Sequence, residues 1–387
     1  MRHVNFTDGN EIALLHSGAG FYPALIAAID AARVEIYLET YIFADDDTGA
    51  LVRTALQSAS ARGVVVYVIN DWLGTGRAHT RVLKEALTTA GVQHRSFNPW
   101  FRRGVARSHR KLCVVDRQVA FVGGLNINDD FISDSGHAIP LPAPRWDFAV
   151  RITGPLVHEI YREMDAQWLR VGHMKLKARW ENFKRLRHRP PVPIHGETQA
   201  GLVVRDNFRN RRTIQRAYLQ ALGRARESAF LANPYFAPGR KMRRALEEAA
   251  LRGVKVTLLL GVGQFAMQDA VAHSFYPKLL RSGVRIVEYT KTQLHAKIAV
   301  VDNKWSTVGS SNVDGLSLFV NQEANVVIED QAFSQYLRQE IEAGATDGRV
   351  VHLDDFRHVP WYKRAAYGAA FLLYRTVIHV ITLGRDA

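Results

Sequence analysis

One spaced pattern of polar residues and glycines occurs twice in the 387-residue chain, and the two copies are 186 positions apart. Both copies have the form H-x-K-x4-D-x6-G-[GS]-x-N. The first copy consists of His109, Lys111, Asp116, Gly123, Gly124 and Asn126, and the second of His295, Lys297, Asp302, Gly309, Ser310 and Asn312. At residue frequencies of roughly one in twenty, a single H-x-K-x4-D-x6-G match is expected only a few times in a thousand chains of this length. Two matches with the same trailing Asn indicate an internal duplication.

Similarity between the two halves of the chain extends beyond this pattern. Three further pairs of segments correspond, namely residues 26–43 with 219–236, 61–64 with 251–254, and 90–92 with 282–284. The offset drifts only from 193 to 186, so there are few insertions or deletions. A repeat of this kind predicts two structurally similar units.

Short apolar runs alternate with helical patterns in each half. The clearest predicted strands are residues 64–69, 112–115, 254–260 and 298–301. This order favours an α/β fold of two similar sandwich halves, each with a mixed sheet, related by a pseudo-twofold axis.

A Pro- and Arg-rich stretch at residues 184–199 marks the predicted join, because Pro-Pro-Val-Pro resists both a helix and a central strand. The predicted units are an N-terminal half with the first motif, a C-terminal half with the second motif and a tail, at residues 1–195, 196–355 and 356–387.

The charge balance restricts the class of partner. Lys and Arg number 51 against 37 Asp and Glu, which gives a net charge of +14 and a surface that attracts nucleic acid or anionic lipid.

Cys113 is the only cysteine, so the chain can form no internal disulfide and no zinc site built on several thiolates. The first 18 residues lack the apolar core of a signal peptide, which predicts a protein kept in the cytoplasm.

The paired motifs carry residue types suited to chemistry on phosphate. A His and a Lys two apart on a strand point to the same face, and imidazole can act both as nucleophile and as proton carrier. One histidine could attack phosphorus while the other protonates the departing alkoxide. The side chains expected to hold the phosphate oxygens are Lys111, Lys297, Asn126, Asn312 and Ser310. Because the two lysines supply the positive charge, no metal or other cofactor is expected.

Carboxylates accompany both motifs. Asp147 and Glu323 follow the two histidines by 38 and 28 residues, and either could orient an imidazole and stabilise its charged form. Asp116 and Asp302 belong to the repeated pattern itself. Each directly follows an apolar strand, which favours a positional hydrogen-bonding role over a chemical one.

These motifs resemble those of the phospholipase D superfamily, whose paired HxKxxxxD signatures form one active site at the interface of two similar halves. The resemblance covers residues 5–350 and is closest to bacterial cardiolipin synthases of the shorter type without N-terminal transmembrane helices. The segments that carry it are residues 39–43, 121–126, 147–155, 233–236 and 308–325. There are two departures: Gly124 stands where the second copy has Ser310, and Asp147 replaces a Glu.

The resemblance implies a phosphatidyl transfer between two phosphatidylglycerol molecules, giving cardiolipin and glycerol through a phosphohistidine. The catalytic residues it implies are His109, Lys111, Asp116, His295, Lys297 and Asp302, with His109 as the nucleophile and His295 as the acid. If water replaces the second lipid, the enzyme is a phospholipase. The same chemistry and the charge of +14 leave open a phosphodiesterase or nuclease that acts on nucleic acid. A catalytically inactive membrane scaffold is disfavoured, because both histidines, both lysines and both asparagines are intact.

Contact with a membrane is predicted at the C-terminus. Residues 365–383 are apolar apart from Arg375 and His379, which share one helical face. An Arg at the bilayer centre costs about 2.5–3.5 kcal/mol on insertion scales, which favours an interfacial helix over a spanning one. A helix docked on the core is the alternative.

Two basic segments are further candidates for contact with lipid headgroups. Residues 167–189 interleave basic and aromatic side chains, which suits lipid headgroups, nucleic acid or a solvated helical face. Residues 98–107 could form a basic lip beside His109. We expect an anionic phospholipid membrane containing phosphatidylglycerol as the partner, with no obligatory nucleic acid. The expected location is peripheral, on the cytoplasmic face of the inner membrane, and the sequence leaves the oligomeric state open.

Overall fold

The computed structural model describes residues 4–133, 139–172, 193–207 and 209–382. Most of the predicted join at 184–199 and of the basic segment at 167–189 lies outside the described residues.

The N-terminal half contains eight strands and four α-helices in its described part. The strands are β1 (Thr7–His16), β2 (Glu35–Thr40), β3 (Val65–Asp71), β4 (Gln93–Phe97), β5 (Arg102–Val105), β6 (Leu112–Val115), β7 (Val119–Gly123) and β8 (Phe148–Thr153). The helices are α1 (Ser17–Ala31), α2 (Asp47–Ala61), α3 (Arg77–Thr89) and α4 (Leu156–Val171).

The C-terminal half repeats this order with additions. Its strands are β9 (Thr198–Arg205), β10 (Ser228–Asn233), β11 (Phe236–Ala237), β12 (Lys255–Gly261), β13 (Arg285–Tyr289), β14 (Ile298–Val301), β15 (Trp305–Gly309), β16 (Val313–Asp314), β17 (Glu323–Glu329) and β18 (Gly348–Val351). Its helices are α5 (Thr213–Arg224), α6 (Arg240–Leu251), α7 (Ala266–Arg281), α8 (Gly315–Phe319) and α9 (Gln331–Thr346), followed by the C-terminal α10 (Trp361–Ile381). The predicted strands 112–115 and 298–301 coincide with β6 and β14.

The two halves share one topology. The strand order is β1-β8-β7-β6-β2-β3-β4 in the first half and β9-β17-β15-β14-β10-β12-β13-β18 in the second. In both halves the inner strands are antiparallel, whereas β2-β3-β4 and β10-β12-β13 are parallel. The structure therefore has the predicted mixed α/β halves.

The sheets of the two halves are also joined edge to edge, which the sequence did not predict. β1 and β9 pair antiparallel through Thr7 with Ala200 and Asn10 with Thr198, and the described strands form a continuous 15-stranded sheet. The buried Asn10 side chain donates to the backbone oxygens of Thr7 and Thr198 and accepts from Leu156 N–H. This amide satisfies backbone groups where the ladder between the halves is irregular.

Helices cover both faces of this sheet. α1–α3 pack on one face of the first half, and α5–α7 pack on the corresponding face of the second. α4 and α9 lie on the other face, where a single apolar core runs across both halves. The interface between the halves is therefore part of the hydrophobic core, which makes relative motion of the halves costly. Cys113 is buried within the first half, where burial raises the pKa of its thiol.

The sheet topology brings both motifs to one edge. β6 runs antiparallel to β2, and Leu112 at the start of β6 pairs with Glu39 near the end of β2. Ile298 at the start of β14 pairs in the same way with Ala232 near the end of β10. The His and Lys that precede each of these strands therefore lie where the parallel strands end.

The C-terminal helix α10 is docked on the body by one face. Ile378 is buried, and the Tyr374 hydroxyl accepts a hydrogen bond of 2.5 Å from Gly315 N–H. Another stripe of α10 exposes apolar side chains, namely Leu372, Leu373, Val377 and Val380. Among the described residues, no helix is long and apolar enough to cross a bilayer.

Candidate active site at the interface of the halves

Each motif histidine contacts a carboxylate from the opposite half of the chain. Nδ1 of His109 lies 3.1 Å from Oε2 of Glu323, and Nδ1 of His295 lies 2.5 Å from Oδ2 of Asp147. Both carboxylates are almost completely buried. The pairing is crossed, so each half supplies the orienting group for the histidine of the other.

The tautomer of His109 follows from a second contact. Its Nδ1 also lies 3.0 Å from the backbone oxygen of Ser310, and a carbonyl oxygen can only accept a hydrogen bond. Nδ1 therefore carries the proton, and Nε2 of the neutral ring holds the lone pair. This is the arrangement that a nitrogen nucleophile needs.

Burial lowers the pKa of His109 below its ordinary value of 6.5, and this effect outweighs the opposing attraction of Glu323. The ammonium groups of Lys111 and Lys297 lower the pKa further. Because Lys297 belongs to the second motif, its effect on His109 shows that the two motifs share one electrostatic environment. The shift favours a neutral, nucleophilic imidazole at neutral pH.

Asp147 lies in the same environment. Burial raises the pKa of its carboxyl group, while Lys297 and Lys111 oppose that shift. The 2.5 Å contact to His295 is shorter than the about 2.7–2.9 Å that is usual for a charge-assisted N–H···O hydrogen bond. Asp147 is thus positioned to stabilise a protonated His295.

Both motif lysines are buried beside their histidines. Lys111 Nζ donates to His109 O at 2.7 Å, and Lys297 Nζ donates to His295 O. Tyr41 completes the first of these clusters, since its ring lies 4.9 Å from the His109 ring and 5.2 Å from Lys111 Nζ. Tyr41 was not predicted as a site residue, although it lies within the 39–43 segment that carries the resemblance.

Asn126, Asn312 and Ser310 differ in their hydrogen-bond partners. Asn126 is buried and its Oδ1 accepts from Ile42 N–H at 3.3 Å. Asn312 is buried, and its Oδ1 has no hydrogen-bond partner among the described residues. The Ser310 hydroxyl donates to Glu323 Oε2 at 2.6 Å and accepts from Ala324 N–H at 3.0 Å. Ser310 therefore supports the pair formed by His109 and Glu323.

Asp116 and Asp302 lie at the far ends of β6 and β14. Each of them lies five residue steps of extended chain, about 16 Å, from its motif lysine. The Asp116 carboxylate accepts from the backbone N–H groups of Arg33, Val34 and Glu35, at 2.8, 2.8 and 2.9 Å. The Asp302 carboxylate accepts from those of Arg226, Glu227 and Ser228, at 2.8, 2.8 and 3.0 Å. Each aspartate thus anchors the start of the neighbouring strand.

The two departures from the repeat compensate each other. A Cβ atom at Gly124 would overlap the Asp147 carboxylate. In the second half, Ser310 occupies the corresponding position and hydrogen-bonds the longer Glu323. The shorter acid is therefore combined with glycine and the longer acid with serine.

Asp71, at the end of β3, is a further buried carboxylate near the first motif that the sequence did not predict. Its Oδ2 accepts from Ser108 N–H at 2.8 Å, and burial raises the pKa of the Asp71 carboxyl group to about 6.

Within the described residues, no group of three or more His, Cys, Asp and Glu side chains is arranged to hold a metal ion.

A duplicated α/β fold with two crossed His–carboxylate pairs and paired lysines defines a phospholipase D-like protein. The profile of a family described as cardiolipin synthase, PLD-like domain, matches residues 25–136 and 218–344. The chain is 38% identical to cardiolipin synthase B of Escherichia coli K12 over 346 residues, covering 87% of this chain and 81% of that protein. It is 27% identical to cardiolipin synthase 1 of Bacillus anthracis over 367 residues, covering 93% of this chain and 69% of that protein.

The chain therefore belongs to the cardiolipin synthase family of phospholipase D-like proteins. Among solved structures, a phosphatidylserine synthase from Haemophilus influenzae superposes with a TM-score of 0.70 at 14% identity. That match covers 96% of this chain and 95% of the other, and it shows a common fold.

Proposed function

We propose that this protein transfers a phosphatidyl group between two phosphatidylglycerol molecules, giving cardiolipin and glycerol. The crossed pairing of His109 with Glu323 and of His295 with Asp147 carries the proposal, because it prepares one imidazole to attack and the other to donate a proton. The 38% identity to cardiolipin synthase B supports the choice of substrate.

In the first step, Nε2 of neutral His109 attacks phosphorus of the first phosphatidylglycerol. A nitrogen–phosphorus bond forms, the bond from phosphorus to the headgroup glycerol oxygen breaks, and His295 gives its proton to that oxygen. The Asp147 carboxylate stabilises the imidazolium that His295 must be at the start of this step. Glycerol then leaves, and the phosphatidyl group remains on His109.

In the second step, neutral His295 takes a proton from a headgroup hydroxyl of the second phosphatidylglycerol. The oxygen attacks phosphorus, the bond to His109 breaks, and cardiolipin is released with His295 charged again. The side chains assigned to the developing charge on the phosphate oxygens are Lys111, Lys297, Asn126 and Asn312. In this proposal Ser310, Asp116 and Asp302 act by positioning and touch no substrate.

We further propose that the protein binds peripherally to the cytoplasmic face of the inner membrane. The exposed apolar stripe of α10 supports this, and so do large apolar side chains on segments at the edge of the sheet that carries the motifs. The latter include Trp100 and Phe101 after β4, Phe131 after β7, and Phe265 after β12. Arg77 lies 4.0 Å over the Trp100 ring, so a cation accompanies this apolar surface. Aromatic and basic side chains together suit an anionic headgroup region.

Lipid analysis by mass spectrometry tests the reaction. Purified protein is incubated with phosphatidylglycerol vesicles, with His109→Ala as the inactive control and a DNA oligonucleotide as a competing substrate class. Cardiolipin with an equimolar amount of glycerol, both absent from the control, is the expected result. Phosphatidic acid would instead identify a hydrolase, and cleavage of DNA without lipid turnover would identify a nuclease.

A further inference from the structure

The pseudo-twofold symmetry of the scaffold breaks down directly beneath the two histidines. The strand registers that pair Glu39 with Leu112 and Ala232 with Ile298 make Glu39 and Ala232 equivalent. By the same correspondence, Arg110 between His109 and Lys111 is equivalent to Ala296. One half thus buries a glutamate and an arginine where the other half has two alanines.

Beneath His109 these charges form a buried polar network. Arg110, which is 1% exposed, makes ion pairs of 2.8 Å with Glu39 and with Glu163 of α4. The other carboxylate oxygen of Glu39 accepts from the Ser108 hydroxyl at 2.5 Å and from Gln167 Nε2 at 3.3 Å. The single positive charge of Arg110 is therefore balanced inside the protein by carboxylates.

The network crosses from the first half to the second through two glutamines. Gln167 Nε2 of α4 donates to Gln322 Oε1 at 2.5 Å. The backbone of Gln322 accepts from His109 N–H at 2.9 Å and donates to Arg107 O at 2.8 Å. Gln322 directly precedes Glu323, which holds His109 Nδ1, so the segment that carries this carboxylate is held by both backbone and side chain.

Beneath His295 the positions equivalent to those of the network hold apolar residues. Trp146 occupies the place of Gln322, since it pairs with Leu294 as Gln322 pairs with Ser108. The Trp146 ring packs 4.8 Å from Phe148 and 5.6 Å from Tyr289, and the absence of a side chain at Gly344 makes room for it. Asp147 thus lies above packed aromatic rings, whereas Glu323 lies above ion pairs.

We propose that Glu39, Arg110, Gln167 and Gln322 form a positioning network that serves only His109, by keeping the Glu323 carboxylate on its Nδ1. Buried ion pairs of this kind contribute little net stability compared with apolar packing, so their value lies in fixing one geometry. The network makes the two histidines of a duplicated site unequal. This proposal rests on the proposed function, because it takes His109 to be a reacting group.

Gln322→Met tests the link, because it keeps the length of the side chain and removes the amide. The control is Gln57→Met, since Gln57 is a half-buried glutamine whose Nε2 donates to Ala86 O at 3.0 Å on the outer helices of the first half. NMR titration of the imidazole rings reports the pKa of each histidine without substrate. In Gln322→Met we expect the pKa of His109 to fall, because Glu323 then raises it less, while the pKa of His295 stays unchanged.

Turnover supplies the second measurement. A misplacement of about 1 Å in an active site can lower the rate about 10²-fold. We expect Gln322→Met to lower kcat by at least tenfold with little change in KM, and to move the acid limb of the pH profile to lower pH. Gln57→Met should match the wild type in both respects.

The double variant Glu39→Ala/Arg110→Ala copies the arrangement of the second half and removes both charges together. We expect it to fold with a higher Tm than Arg110→Ala, which leaves Glu39 without its nearest cation, and to show the same shift of the His109 pKa as Gln322→Met. It tests the network independently if Gln322→Met does not fold.

The possible outcomes separate the network from the reaction. If the variants lower Tm but leave the pKa of His109 and the acid limb at their wild-type positions, the network is only structural and the proposal is overturned. If the His109 pKa shifts while even the wild type converts no phosphatidylglycerol, the network stands and the proposed reaction fails.

Discussion

Oδ2 of Asp147 lies 2.5 Å from Nδ1 of His295, 148 positions later in the chain and in the other half of the protein. The reciprocal contact joins His109 to Glu323 across 214 positions. Neither half alone can therefore form a complete histidine–carboxylate pair. The duplication provides two similar units, and only their association provides two oriented imidazoles.

Replacement of Asp147 by Asn should separate orientation from charge. The amide keeps the size of the side chain but cannot stabilise an imidazolium, so protonation of the leaving glycerol should slow by about 10²–10⁴-fold in kcat. Steady-state assays on phosphatidylglycerol vesicles measure this effect, with circular dichroism to verify folding. A kcat within a factor of two of the wild type would contradict the assigned role.

The pH dependence should report His109. Burial lowers its pKa below 6.5, so the acid limb of kcat/KM should lie below pH 6.5. Glu323 raises this pKa, and Glu323→Gln should therefore move the limb to still lower pH while it reduces kcat. An acid limb above pH 6.5 in the wild type, or a shift to higher pH in the variant, would show that another group controls the rate.

Asp116 and Asp302 should affect stability more than chemistry. Each carboxylate accepts three backbone hydrogen bonds, and loss of bonds to a charged acceptor costs roughly 1.5–3 kcal/mol in the free energy of unfolding. Denaturant unfolding of Asp116→Ala and Asp302→Ala measures this cost. The exposed Asp47 of the first turn of α2 provides a control as Asp47→Ala. A large loss of kcat without loss of stability would favour a chemical role instead.

The effects of substitutions at Gly124 and at Asp147 on activity should depend on each other. Gly124→Ser places a side chain against the Asp147 carboxylate, and a displacement of about 1 Å in an active site can cost about 10²-fold in rate. Gly124→Ser/Asp147→Glu recreates the arrangement of Ser310 and Glu323 and should recover part of the activity. Gly223→Ser on α5 is the control, because a Cβ atom there has no neighbour within 4 Å. No difference between the single and double variants would refute the interdependence.

The exposed stripe of α10 should determine binding to membranes. Leu372 and Leu373 are 59% and 56% exposed, and burial of a leucine contributes about 1.5–3 kcal/mol. Leu372→Asp/Leu373→Asp should therefore weaken binding to phosphatidylglycerol vesicles at least tenfold in a cosedimentation assay. Leu251→Asp is the control, because Leu251 is 72% exposed and lies near the start of β12, at the edge opposite the motifs. Equal binding by both variants would exclude α10 as the contact.

Local patterns were sufficient to predict several parts of the structure. Strands β6 and β14 were predicted to the residue, because each is a short apolar run bounded by the motif lysine and aspartate. The mixed α/β halves followed from the alternation of such runs with helical patterns. β3 was predicted with shifted ends, because the strand continues into the polar residues Asn70 and Asp71. β12 is displaced by one residue at both ends, to Lys255–Gly261.

The sequence alone determined that the chain contains two related units and which imidazoles and ammonium groups they present, because these properties depend on residue type and on spacing along a few turns or strands. The tertiary structure decided which carboxylate serves which histidine, that the two sheets join through β1 and β9, and that Arg110 pairs with Glu39 and Glu163 beneath His109. Those contacts link residues up to 214 positions apart, and neither periodicity nor repeat spacing carries information about such distances.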